Sequence, residues 1–163
     1  MITVTEAITD AEWEQALAVM HAVYVGEGYT SGEVAQQNMM REKLTAGGTL
    51  LITKDASGGV SGATVFLHDD GPMKQIAREG EREFRVLAVR PDARGTGVGE
   101  ALVQACVDRA IAGHAKALVL WTQPRMTTAQ RLYERLGFVR DPARDVPDPR
   151  GFTRLVYLHT LGS

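Results

Sequence analysis

Residues 84–102 have the sequence FRVLAVRPDARGTGVGEAL, and this stretch decides the fold. Its first six residues are apolar apart from Arg85, a pattern that predicts a central strand buried on both faces. A loop with three alternate glycines follows, and apolar residues then recur at helical spacing. The stretch is therefore a buried strand that passes through a glycine-rich loop directly into a helix.

The loop and the start of the helix have the pattern of an anion-binding site. The first turn of a helix has amide groups without partners, and the helix dipole adds partial positive charge there. Glycine lets the backbone approach a diphosphate closely, and Arg94 adds a full positive charge. Two common phosphate-binding patterns do not fit. The third glycine, Gly99, comes one residue too early for the dinucleotide fingerprint, and no Lys-Ser/Thr pair follows it as in a triphosphate loop.

The rest of the chain alternates between strand and helix patterns. Before the glycine-rich loop we predict a strand at 2–8, helices at 9–24 and 32–45, a hairpin of strands at 50–53 and 60–67, and a loop at 68–82. After it we predict a helix at 98–113, a strand at 117–122, a helix at 128–136, and strands near 138–140 and 153–158. This order predicts a mixed α/β sheet with helices on both faces.

Two helix starts carry capping-box spacing. Thr9 and Glu12 have this spacing before the first helix, where each side chain can bind the other residue's backbone amide. Thr127 and Gln130 have the same spacing, so Thr127 is predicted as the cap of the helix at 128–136.

Composition restricts the classes of partner. The 163 residues carry a net charge of -2, which gives no general attraction to nucleic acid or to an anionic membrane. The N-terminus lacks the pattern of a signal peptide, and no apolar stretch reaches the roughly 18 residues of a membrane span. We therefore expect a cytoplasmic protein of one domain, residues 1–163, with no nucleic-acid or membrane partner.

Neither cysteine nor histidine indicates a metal site or a covalent mechanism. Cys106, the only cysteine, lies in an apolar helical pattern and is predicted to be a small core residue. The four histidines have no ligand spacing, so we expect no metal.

A second motif follows the strand at 117–122. Residues 129–138 have the sequence AQRLYERLGF, with an apolar helical face that includes Tyr133 and a natural stop at Gly137. Taken alone, this pattern makes Tyr133 one more buried aromatic residue.

Together the two motifs resemble the GNAT superfamily of N-acetyltransferases. Arg94, Gly97 and Gly99 match the Arg/Gln-x-x-Gly-x-Gly/Ala pattern of its coenzyme A pyrophosphate loop. Residues 129–138 are similar to its Ala-x-x-Leu-Tyr-x-x-x-Gly-Phe segment. The resemblance covers roughly 84–140 and implies an N-acetyltransferase-like domain with a mostly antiparallel mixed central sheet flanked by helices. One departure is Met126, where many relatives have an asparagine that contacts the cofactor.

The resemblance also implies the cofactor site and the reaction. Acetyl-CoA is the co-substrate, and an acceptor amine attacks its thioester directly. By this resemblance, the pantetheine arm is expected to bind to the backbone of Leu87, Ala88 and Val89. The pyrophosphate is expected, on the same ground, to bind to Arg94, Gly95, Thr96, Gly97, Val98 and Gly99.

The reaction also requires two proton transfers: the amine must lose a proton, and the departing thiolate must gain one. Tyr133 is the candidate acid for the departing thiolate, because a phenol with a pKa of about 10 can donate as negative charge develops. Glu83 is the candidate base for the amine, since related enzymes often use a carboxylate at the start of this strand. Glu83 shares strand parity with Arg85, Leu87 and Val89, so we expect it to point the same way as Leu87 and Val89. The alternative is that Glu81 and Glu83 form a solvated acidic pair.

The sequence leaves several alternatives open. A transferase that uses a longer acyl-CoA, or an oxygen acceptor, and a non-catalytic CoA-binding or regulatory domain remain beside the acetyltransferase. The acceptor is a small-molecule amine or a peptide or protein amine, and its contacts are expected at about 20–48, 68–82 and 140–152. A homodimer is one open oligomeric state.

Overall fold

The computed structural model describes residues 2–162 of the chain. Its α-helices are α1 (Asp10–Tyr24), α2 (Gly32–Asn38), α3 (Arg41–Gly47), α4 (Val98–Ala112) and α5 (Thr127–Arg135). Its strands are β1 (Val4–Glu6), β2 (Gly48–Lys54), β3 (Val60–Leu67), β4 (Glu81–Val89), β5 (Ala117–Thr122), β6 (Val139–Arg140), β7 (Val146–Pro147) and β8 (Thr153–Thr160). Short 3-10 helices cover Pro91–Ala93 and Pro142–Arg144.

The strands form one mixed sheet in the order β1-β2-β3-β4-β5-β8-β6, with β7 paired to β8. Within residues 2–162, β4 and β5 are the one parallel pair, and all other pairs are antiparallel. The predicted hairpin is β2 and β3, in register from Gly48 opposite Leu67. The predicted mixed, mostly antiparallel sheet is confirmed.

Helices cover both faces of the sheet, as predicted, and each face has its own core. The α1-side core combines α1, α2 and α3 with one face of β2, β3 and β4. The α4-side core combines α4 and α5 with the other face. Cys106 is 0% exposed in the α4-side core, where burial raises the pKa of its thiol well above the ordinary value. Its predicted role as a small core residue is confirmed.

The helix boundaries correct one prediction and confirm another. The single helix predicted at 32–45 is two helices, because Met39 and Met40 leave helical geometry and turn the chain. The capping box of Thr9 and Glu12 is present, with Glu12 N–H donating to Thr9 Oγ1 at 3.1 Å.

The capping box predicted for Thr127 and Gln130 is absent, so this prediction is wrong. Met126 caps α5 without a side-chain hydrogen bond. Gln130 instead donates to the carbonyl groups of Gln123 and Pro124, at 3.0 and 3.2 Å, so its side chain is used by the preceding turn.

Strand β4 begins three residues earlier than predicted, at Glu81. Its first residues, Glu81 to Glu83, pair with β5, and the carboxylates of both glutamates are buried against polar partners. The polar loop before the strand is correspondingly shorter. None of the helices described within residues 2–162 has the length and apolar character that a membrane span requires.

Candidate active site

The central feature of the site is an opening between β4 and β5. These strands pair over only three residues of the described chain, from Glu81 opposite Ala117 to Glu83 opposite Val119. Both strands continue beyond that point without pairing to each other. A cavity of about 630 Å³ lies along the opening, lined by both strands and by Tyr133. This volume is within the usual range of about 300–1,000 Å³ for small-molecule sites.

A β-bulge in β4 borders the opening. On β3, Ala63 and Val65 are two residues apart, but their partners Ala88 and Arg85 on β4 are three apart. One extra residue is therefore inserted in β4. Val86, within the bulge, has a φ of 65°, a region that β-branched residues rarely adopt.

The bulge reverses the alternation of side chains along β4. Phe84, Leu87 and Val89 pack with the α4-side core, whereas Val86 and Ala88 pack with the α1-side core. Glu83 alternates with Phe84 and therefore belongs to the face opposite Leu87 and Val89. The expectation that Glu83 points the same way as Leu87 and Val89 is wrong, because it assumed an unbroken strand.

The glycine-rich loop lies between β4 and α4. Gly95 and Gly97 have φ values of 76° and 90°, which glycine adopts without strain. Gly97 is the N-cap of α4, and the first helical hydrogen bond runs from Ala101 N–H to Gly97 C=O at 3.0 Å. The amides of 98–100 therefore have no acceptor within the helix.

The glycines of the loop serve different purposes. A Cβ atom at Gly95 would meet nothing within 4 Å, so the space beside the loop is open there. A Cβ atom at Gly99 would lie 3.1 Å from Leu132 Cδ2, so this glycine allows α4 and α5 to approach closely. Arg94, at the mouth of the loop, forms an ion pair with Glu27 in the turn after α1.

Tyr133 lies on α5 with its side chain against the cavity. It is 5% exposed, and its ring contacts Phe84 edge-on with centroids 6.1 Å apart. Burial raises the pKa of Tyr133 well above 10.0, which keeps the phenol protonated near neutral pH. Among residues 2–162, no side chain or carbonyl group accepts a hydrogen bond from its hydroxyl.

Glu83 is buried, and one of its oxygens anchors a loop. It is 1% exposed, and Oε1 accepts the amide protons of Gln75, Ile76 and Ala77 at 3.1, 3.0 and 3.1 Å. Within the described residues Oε2 has no hydrogen-bond partner. Glu83 is not among the residues that line the cavity.

Glu81 is also buried, at 5% exposed, and forms a two-pronged ion pair with Arg144 at 2.8 and 3.0 Å. Burial raises the pKa of Glu81, but the hydrogen bonds and charge of Arg144 outweigh this effect and hold the pKa below its ordinary value. The alternative of a solvated acidic pair at Glu81 and Glu83 is therefore wrong.

Sequence reasoning missed Tyr24. Its hydroxyl lines the same cavity and donates to the carbonyl oxygen of Leu87 at 3.4 Å. Burial raises the pKa of Tyr24 to about 12. In the sequence, Trp13, Leu17, Met20 and Tyr24 are apolar residues at helical spacing, so nothing local distinguishes Tyr24 from a core residue such as Met20.

Sequence reasoning also gave no role to Arg85, which lines the cavity with Trp121. A signal was present, since Arg85 is the one charged residue in the apolar run 84–89. A charge at the centre of a buried strand needs a partner or a function. The segments at 20–48, 68–82 and 140–152 all contribute residues to the cavity wall, including Lys43, Gln75 and Arg150.

Comparison with known proteins agrees with this geometry. Residues 13–138 match the acetyltransferase (GNAT) family. The chain belongs to this family. The match begins well before the 84–140 stretch in which the two sequence motifs lie, and it includes the opening, the loop and Tyr133.

Similar proteins of this family include two curated relatives. A mycothiol acetyltransferase of Propionibacterium freudenreichii subsp. shermanii is 30% identical over 134 residues, which are 79% of this chain and 40% of that protein. A mycothiol acetyltransferase of Segniliparus rotundus is 30% identical over 102 residues, 63% of this chain and 34% of that protein. The chain therefore matches two fifths or less of the length of these relatives.

Solved structures show the same GNAT fold. An acetyltransferase from Streptococcus agalactiae 2603 superposes with a TM-score of 0.76 at 18% identity, over 98% of both chains. At this identity the likeness concerns the fold alone. Among residues 2–162, no cluster of three or more His, Cys, Asp or Glu side chains could hold a metal ion.

Proposed function

We propose that this protein transfers an acetyl group from acetyl-CoA to an amine, by direct attack of the amine on the thioester. The observation that carries the proposal is the opening between β4 and β5, which has the glycine-rich loop at its end and Tyr133 in its wall. An extended arm fits between strands that have separated, and a diphosphate fits beside unpaired helix amides. Membership of the acetyltransferase (GNAT) family supports the same reaction.

The loop and β4 provide the groups for holding acetyl-CoA. The amides of 94–99 would bind the pyrophosphate, where open space at Gly95 allows close approach. The backbone of Leu87, Ala88 and Val89 borders the opening and would pair with the pantetheine arm. The bound co-substrate supplies the activated acetyl group.

Two residues handle protons in this proposal. Tyr133 donates to the departing thiolate, because its hydroxyl has no acceptor in the described protein and burial keeps it protonated. Glu83 takes the amine proton through water, since Oε2 has no donor while Oε1 is held by three amides. The bulge places Glu83 on the face away from Leu87, so a direct contact with the amine is not part of the proposal.

Thiol release tests the function. The protein is mixed with acetyl-CoA and a panel of small amines and peptides, and free thiol is measured with and without each acceptor. We expect amine-dependent release and an N-acetylated product by mass spectrometry. Release only with longer acyl-CoA donors would favour the alternative transferase. Binding without release would favour a non-catalytic CoA-binding domain.

A matched pair of variants tests the loop. Gly95→Asp and Gly95→Asn have side chains of similar size, and both residues tolerate positive φ. The Asp carboxylate would repel the diphosphate, so we expect Gly95→Asp to weaken acetyl-CoA binding by about tenfold or more relative to Gly95→Asn. Calorimetry measures both affinities, and equal affinities would contradict the assignment of the loop.

A further inference from the structure

Arg85 is a cation without a protein partner inside the cavity. It projects from β4, half-buried, beside the opening. Among residues 2–162 its side chain forms no hydrogen bond and no ion pair, although a guanidinium group has five N–H donors. Its one defined contact is with Trp121, where the guanidinium carbon lies 5.3 Å from the ring centroid. The donors of Arg85 are therefore available to a molecule in the cavity.

The residues around Arg85 form a frame in which Trp121, Arg154, Arg150 and Asp148 hold one another in place. Arg154 also lies over Trp121, at 4.6 Å, and donates to Asp148 at 2.9 Å. Trp121 Nε1 donates to Gln75 at 2.6 Å, which fixes the indole. Arg150 binds the same Asp148 through its side chain and its backbone amide. Asp148 is 5% exposed, so the carboxylate that joins Arg150 and Arg154 is itself shielded from water.

The charges in this frame do not balance. The frame and Arg85 together contain three guanidinium groups, of Arg85, Arg150 and Arg154. The nearby carboxylates are two, of Asp148 and Glu83. One positive charge is left over in this group of residues. Arg150 and Arg154 both bind Asp148, whereas Arg85 is near the charge of Glu83 but has no hydrogen-bonded carboxylate within residues 2–162. Lys43 also lines the cavity, but its side chain is exposed and therefore screened by water.

We propose that the acceptor amine carries a carboxylate group and that Arg85 binds this carboxylate, so that the substrate class is small amino acids. This inference rests on the proposed acetyl transfer. A planar guanidinium matches a carboxylate through two parallel hydrogen bonds. One carboxylate neutralises the single uncompensated charge, whereas a phosphate dianion would exceed it.

The position of Arg85 also sets the orientation of the substrate. Because Arg85 lies beside the opening between β4 and β5, an amino acid binds with its carboxylate toward Arg85 and its amine toward the opening. Arg85 acts here as a specificity-determining residue.

The test compares substrates that differ only in charge. Thiol release from acetyl-CoA is measured with a set of amino acids, with their carboxamides, and with 2-aminoethyl phosphate. We expect the wild-type protein to prefer amino acids over their carboxamides in kcat/KM by about 10- to 100-fold, the usual effect of hydrogen bonds to a charged group. Arg85→Gln should remove this preference by raising KM for amino acids more than KM for their carboxamides, while the acetyl-CoA affinity stays near the wild-type value.

Controls separate this inference from a structural effect. Arg85→Lys keeps the charge without the planar fork and should retain part of the preference. Arg109→Gln, on α4 beside Glu6 of β1, should behave as wild type. Equal use of amino acids and carboxamides by the wild-type protein would overturn the carboxylate assignment while acetyl transfer stands. Preference for 2-aminoethyl phosphate, or an equal loss of all substrates in Arg85→Gln, would also overturn it. No release with any amine would overturn acetyl transfer itself.

Discussion

At the scale of single residues, Tyr133 differs from the neighbouring buried tyrosine in what its hydroxyl contacts. Tyr157 belongs to the same aromatic cluster, with ring centroids 6.0 Å apart, but donates to Glu134 at 3.1 Å. Tyr133→Phe removes only the hydroxyl group of this residue and keeps the ring packing. We expect turnover to fall by roughly 10²–10⁴ with acetyl-CoA affinity unchanged. Steady-state kinetics and calorimetry measure the two quantities.

Tyr157→Phe is the matched control for this prediction. It deletes a hydroxyl group of the same cluster that does not line the cavity, so turnover should stay near the wild-type value. Equal turnover in wild type and Tyr133→Phe, with chemistry shown to be rate-limiting, would leave Tyr133 as a core aromatic residue only.

Glu83 combines a structural contact with a candidate chemical role, and Glu83→Gln separates them. The glutamine oxygen can still accept the amides of 75–77, but it cannot take a proton from the amine. We expect the rate to fall most at mildly acidic pH, where little free amine exists without a base. The pH–rate profile of the variant measures this.

Glu79→Gln, an exposed residue just before β4, is the control and should keep the wild-type profile. A uniform loss of rate at all pH values in Glu83→Gln would show that Glu83 serves only to hold the loop. An unchanged profile would assign the deprotonation to another group or to bulk water.

At the scale of elements, one buried ion pair joins the start of β4 to the connection before β8. Glu81 and Arg144 are 6% exposed in their side chains and separated by 63 residues along the chain. Glu81→Gln leaves the buried charge of Arg144 without its counter-ion, so we expect the free energy of unfolding to fall by about 3–5 kcal/mol. Urea unfolding of the variant measures this loss.

A surface pair is the control for that prediction. Asp10 pairs with Arg41 at 2.7 Å, but its side chain is 96% exposed, so Asp10→Asn should cost far less than Glu81→Gln. Because Glu81 does not line the cavity, acetyl transfer by folded Glu81→Gln should remain near wild type. Similar urea midpoints for the two variants would show that the buried pair contributes little.

At the scale of the whole molecule, acid should destabilise the fold through several carboxylates together. The pKa of Glu81 lies below 4.5, and side-chain hydrogen bonds from Arg140 and Arg150 hold the pKa values of Asp145 and Asp148 below 3.8. A lowered folded-state pKa means that the unfolded chain binds more protons in acid. The stabilisation is therefore complete above the ordinary pKa values and is lost as the pH falls through the folded ones.

We expect the urea midpoint to be nearly constant from about pH 7 to pH 5 and to fall steadily below about pH 4. Glu81→Gln removes one of these carboxylates, so its midpoint should fall less over the same acidic range. A midpoint that does not change below pH 4 would contradict the contribution of these buried pairs to stability.

Much of the fold was predictable from local patterns. The glycine-rich loop, the α4 boundary and the face of α5 that bears Tyr133 follow from spacing within a dozen residues, and the structure has them where predicted. The capping box of Thr9 is equally local. The errors have different causes. The side chain of Gln130 has a competing acceptor only seven residues away, in the turn before α5, whereas the helix at 32–45 broke where Met39 became buried in the α1-side core.

The sequence by itself determined most of the order of elements, the family resemblance and the place of the glycine-rich loop, because helical and strand periodicity depend on neighbours along the chain. Only the tertiary structure decided which way β4 side chains point, since one inserted residue at Val86 reverses the alternation without any sequence signature. It also decided that Glu81 forms an ion pair with Arg144 and that Arg85 forms no ion pair within residues 2–162. Such partners come from residues that are distant in sequence and meet only when the sheet assembles.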